Sequence, residues 1–149
     1  MRARNHAIAG VVVALVIAAI AYERRRQPTE TRAVETTRAV RIVRRDQMGL
    51  PEKKGLVRDR VHVRSLTEAL GVDLHPVVEC PPDYAEAELG IVLSGDDVYA
   101  RRNVYVFGLL GDAGGTPRVV SVTSAGCRSG APADLPTLRS ELHAAGVLD

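Results

Sequence analysis

The sequence predicts an α+β chain: an N-terminal single transmembrane helix, then a small domain with an antiparallel sheet and helices on one face. Three observations carry this prediction. Residues 7–22, AIAGVVVALVIAAIAY, form an uncharged apolar run. Residues 103–110 and 118–124 are rich in β-branched and aromatic side chains and are separated by the breaker-rich stretch 111–117, the pattern of an antiparallel hairpin. Asp134 followed by Pro136, with Glu141, Leu142, Ala145 and Leu148 beyond, marks a closing helix over residues 135–145.

The apolar run is sixteen residues long, and at ~1.5 Å per residue a helix of that length rises about 24 Å, less than the ~30 Å hydrocarbon core. A short anchor is allowed if the membrane thins locally and the flanking Arg4, Arg24, Arg25 and Arg26 reach the headgroups with their long stems. The same stretch also resembles a signal peptide. Arg2 and Arg4 form a basic start, and Ala19-Ile20-Ala21 fits the small-x-small rule, which would place a mature start at Tyr22. The absence of a polar region before that site and the three arginines beyond it favour an uncleaved anchor, with Arg24, Arg25 and Arg26 resting on the membrane surface.

The predicted organisation is therefore a basic tail over residues 1–6, a transmembrane helix or signal peptide over 7–22, a basic stalk over 23–55 and the small α+β domain over 56–149. Pro28 stops or kinks any helix leaving the membrane. Residues 37–45, TRAVRIVRR, suit either a helix face or an edge strand. Gly49 to Gly55 is a charged loop with breakers. In LVRDRVHVR, Val57, Val61 and Val63 alternate with charge as in a half-buried strand, and Ser65 with Glu68 resembles a capping box opening a short helix that Gly71 ends. Pro76 limits residues 72–80 to an edge strand or two short pieces. For residues 83–92, a helix with Asp83 as cap is preferred, although Leu89, Ile91 and Leu93 alternate as a strand would.

Charge is divided along the chain. Residues 1–60 carry fourteen Lys plus Arg against six Asp plus Glu, and residues 61–149 carry six against twelve, so the predicted domain is acidic behind a basic stalk. Arg38, Arg41, Arg44 and Arg45 invite a nucleic-acid reading, but no aromatic residue is interleaved with them, and no nucleic-acid partner is expected. With no Trp and one Phe, the chain is poorly equipped to stack on sugars or bases. Tyr105 and Phe107 are expected to share one sheet face, where they either pack in the core or form an exposed patch for a protein partner.

The only two cysteines, Cys80 and Cys127, lie beyond the apolar run, and the pair is most simply a disulfide of an exported domain. The arginines at 24, 25, 26, 32 and 38 pull the other way, towards a cytoplasmic C-terminal part. The cysteines are given the greater weight. His62, His75, Cys80 and Cys127 are ligand types for zinc without zinc spacing, so neither metal nor cofactor is expected. Cys127 with His143 is a formal nucleophile and base, Asp96 with Asp97 a formal calcium pair, and Gly111 to Gly115 a glycine-rich loop. None has the surrounding motif that such chemistry needs, and neither Ser94 nor Ser124 sits in a nucleophile elbow.

These observations predict a membrane-anchored, non-enzymatic interaction module of the cell envelope. Its domain would lie outside the cytoplasm, in contact with membrane lipid and a protein partner. The alternatives are a secreted, inhibitor-like module released after Ala21 and a cytoplasm-facing, membrane-tethered regulator. Type IV pilin-like subunits also place a hydrophobic helix before a small disulfide-bearing head, but this chain has neither a Gly-Phe processing site before the apolar run nor a glutamate inside it, and no family is assigned.

Overall fold

The structure is a computed structural model and describes residues 11–19, 32–45, 51–96, 100–110 and 116–149. The chain forms two compact units, residues 1–31 and 32–149. In the first, residues 11–19 are a helix (α1) whose apolar side chains are exposed. Among the described residues no helix is long and apolar enough to cross a membrane. The remainder of the apolar run lies outside them, as do Arg24, Arg25 and Arg26.

The second unit is α+β. A short helix α2 (Ala33–Thr36) leads into β1 (Ala39–Arg44), then β2 (Lys53–Val57), α3 (Arg60–Leu70), a 3-10 turn (Val72–Leu74) and β3 (Val77–Val78). Strands β4 (Leu89–Ser94), β5 (Arg102–Phe107), β6 (Arg118–Thr123) and β7 (Gly126–Gly130) follow, and α4 (Leu135–Ala144) closes the chain. The strands form one seven-stranded sheet in the order β2-β1-β4-β5-β6-β7-β3, and every pairing is antiparallel.

Alternation decides which face is the core. Val40 and Ile42 of β1 lie opposite Leu93 and Ile91 of β4, and Ile91 and Leu89 lie opposite Val104 and Val106 of β5. All are fully or nearly fully buried, and they join Leu66 and Leu70 of α3 and Leu138 and Leu142 of α4 in one apolar cluster. Two glycines let other parts of the chain come close to the strands. A Cβ on Gly55 would meet a Val147 methyl at 2.7 Å, and one on Gly130 would meet the His75 ring at 2.5 Å.

Several sequence expectations are corrected. The folded unit begins at Arg32, not at residue 56, because β1 and β2 belong to the sheet. Strand β1 is interior, flanked by β2 and β4, and is neither an edge strand nor a helix. Of LVRDRVHVR only Leu56 and Val57 lie in a strand; Asp59 caps α3 by accepting from the N–H groups of Val61 and His62. Buried Val63, Leu66, Thr67, Ala69 and Leu70 then follow helical spacing, while Val61 is 74% exposed and Ser65 lies mid-helix. Residues 83–92 hold no helix: β4 begins at Leu89, where the strict alternation applies. The unit is also not acidic. With the stalk's arginines incorporated, residues 32–149 carry fifteen Lys plus Arg against sixteen Asp plus Glu.

The C-terminal expectations hold closely. Helix α4 starts after Asp134, whose carboxylate accepts from the Thr137 N–H at 3.1 Å and its hydroxyl at 2.7 Å. These bonds hold the Asp134 carboxyl below its ordinary range, and the Lys53 ammonium beside Asp149, aided by Arg44, does the same there. Both groups bind protons more weakly folded than unfolded. Their contribution is therefore present above the ordinary carboxylate range and is lost as pH falls through the lowered folded values. Acidification is expected to loosen the start of α4 and the C-terminal segment before the sheet, read as amide exchange in α4 rising ahead of that in β4 and β5. Equal protection of both elements down to global unfolding would contradict this.

Candidate functional site

Among the described residues a concave site lies between α2, α3 and the 3-10 turn. Local chemistry builds each wall. Helix α2 has only four residues and could not persist alone. It is pinned by Asp73, whose carboxylate accepts from the Ala33 N–H and from Arg102 Nη1, both at 2.6 Å. Helix α3 is fixed by the Asp59 cap at one end and by left-handed Gly71 (φ 65°) at the other. The chain leaves α2 through buried Thr37, and the Arg38 N–H donates to the Ser94 carbonyl at 2.7 Å, which starts β1.

Between these walls lies a groove of about 730 Å³. A second depression of about 300 Å³ adjoins it and shares Thr37, Arg38, Arg60 and Val63. The floor is Val63, Thr67 and Val72, all buried; the Thr67 hydroxyl is spent on the Val63 carbonyl at 2.6 Å. One end is ringed by Arg38, Arg58 and Arg60, the other by Glu68, Asp73 and Leu74. Arg64 pairs with Glu68 at 2.9 Å and Arg38 with Asp96 at 3.2 Å. The bond to Glu68 holds the Arg64 guanidinium above its ordinary range. Arg32, Arg58 and Arg60 have no ion pair among the described residues.

The opposite face of the sheet is partly covered by a strap, residues 79–88. It is tied down by the Cys80–Cys127 disulfide (Cα to Cα 5.0 Å), by Tyr84 stacked on Tyr105 with ring centres 4.4 Å apart, and by Arg45 Nη1 donating to the Tyr84 carbonyl at 2.8 Å. Tyr84 Oη also lies 3.2 Å from Cys127 Sγ. Tyr105 and Phe107 do share a face, as expected, but it is this one and not the helix-packed core; Arg118 lies over the Phe107 ring at 4.9 Å.

The other sequence candidates separate. Cys127 is consumed by the disulfide and is no thiol nucleophile for His143. His75 is buried with Nε2 3.1 Å from the Leu70 carbonyl, and His62 Nδ1 lies 2.9 Å from Glu141. Among the described residues no three His, Cys, Asp or Glu side chains gather as a metal site. Asp96 meets Arg38, while Asp97 and Gly111 to Gly115 lie outside the described residues. The arginines grouped in sequence disperse: Arg38 reaches the groove, Arg41 is exposed, Arg44 is buried and Arg45 holds the strap.

The groove itself escaped sequence reasoning. Its one available signal was Asp59 between Arg58 and Arg60, a cap residue that places both arginines at a helix start. Compared with protein-family models, with curated proteins and with solved structures, the chain matches none.

Proposed function

We propose that this chain is a non-enzymatic binding module held at the membrane by its N-terminal apolar segment, with the folded unit outside the cytoplasm and the α2–α3 groove as its binding site for a protein partner. The groove carries this reading. It is concave and apolar-floored, it is rimmed by charge, and it lies in the size range of ligand sites. The disulfide supports the address, because such bonds persist in oxidising compartments. Anchoring rests on the apolar run and its flanking arginines.

The test uses intact cells and a membrane-impermeant alkylating reagent, with a photo-crosslinking residue at position 74 on the groove rim. Cys80 and Cys127 are expected to label from outside only after reduction, and position 74 to crosslink to a protein while position 139 on α4 does not. Labelling that requires permeabilised cells but no reductant would place the unit in the cytoplasm and overturn the address.

A further inference from the structure

The polarity of the groove along its length specifies its occupant. The lining runs beside α3 from Arg60 to Gly71. Over the eleven residues of that helix the axis rises about 16 Å at ~1.5 Å per residue, the reach of about five residues of extended chain. Among the described residues Arg58 and Arg60 stand at one end without ion pairs; Arg38 is held at the exposed surface by Asp96, whose side chain is 82% exposed, and by the Glu35 carbonyl at 3.3 Å, bonds that a better-placed acceptor can replace. Guanidinium forks match carboxylates in two-pronged geometry. The other end presents Leu74, 79% exposed, with half-buried Val34 nearby in the lining.

We propose that the groove binds an extended acidic segment of a protein partner, with its carboxylates on Arg38, Arg58 and Arg60 and an apolar side chain against Val34 and Leu74. This rests on the groove being the binding site. Two competing anions fit less well. A bilayer surface is flat and uniformly anionic, whereas this site is concave and carries Glu68 and Asp73 at its far end. A nucleic-acid strand would need stacking partners, and among the described residues no aromatic side chain lines the groove.

The experiment is fluorescence anisotropy with the full-length protein in a neutral detergent. The probe is a labelled peptide of about six residues alternating glutamate with leucine; a glutamine–leucine peptide and phosphatidylglycerol vesicles serve as comparisons. Saturable binding of the glutamate peptide is expected, weakening as salt rises and falling about tenfold or more in the double variant Arg58→Glu, Arg60→Glu but not in Arg139→Glu. The double reversal adds negative charge at the start of α3, which suits the helix dipole, so lost binding would not report lost folding. Equal binding of the glutamine peptide, or capture of the vesicles in place of the peptide, would overturn the proposal. Absence of peptide binding with crosslinking at position 74 intact would remove the acidic segment alone, whereas loss of both would remove the groove as the binding site.

Discussion

Replacing Cys80 and Cys127 together by alanine is expected to lower the stability of the folded unit by about 4 kcal/mol, from the loop-closure cost of a crosslink of sequence separation 47. That would be a large fraction of the stability of a single domain, and a fall of roughly 15 °C in melting temperature. The loss should be uneven. The disulfide, Tyr84 on Tyr105 and Arg45 on the Tyr84 carbonyl together hold the strap on the sheet, so its amides should exchange faster while those of α3 and α4 stay protected until global unfolding. Thermal melts with and without reductant, combined with hydrogen exchange, measure both parts. A melting temperature unmoved by reduction would show that the crosslink constrains little beyond what packing already does.

Arg44 is the second position with a large expected effect. It points from β1 into the core side of the sheet and is 1% exposed, with Nη1 donating to the Val147 carbonyl at 3.0 Å and Nη2 to the Pro51 carbonyl at 3.0 Å. Nη1 also lies 3.5 Å from Asp149, and Nε is buried without a partner among the described residues. Arg44→Ala would strand two carbonyls and leave a cavity where the stem was, costing about 3 kcal/mol or more. Arg44→Met keeps most of the stem volume and removes a buried charge with an unsatisfied nitrogen, so its cost should be about half as large. Denaturant unfolding of the two variants distinguishes these contributions. If methionine were as damaging as alanine, the donated bonds, not the packing of the stem, would dominate the role of Arg44.

The parts of the fold legible in the sequence are those in which local and tertiary signals agree. In β5 and β6, β-branched runs flank a breaker-rich connection; Asp134 and Pro136 mark the start of α4; two cysteines far apart in sequence made the disulfide the economical reading. The signals failed where one short stretch satisfied two periods. Val57, Val61 and Val63 alternate with charge across what is in fact a strand end, a cap and a helix start, and the burial of Leu66 and Leu70 decided for the helix. Strand β1 was hidden for a different reason. Arg44 occupies an inward position that would ordinarily be apolar, and its partners lie in distant parts of the chain, so the strand resembled a solvated stalk. The groove was illegible because Arg38 and Arg60 come together only once β1 and α3 have docked.

Asp73 holds both the first N–H of α2 and the guanidinium of Arg102 on β5. Tension applied to the chain at Arg32 would therefore not simply peel away the first turn and then β1. It would be shared through one carboxylate between the 3-10 turn and an interior strand of the sheet. Under such tension that carboxylate, together with the burial of Ala33, would act as a mechanical fuse: were it to give, the groove would lose α2 as one wall before the sheet lost a strand.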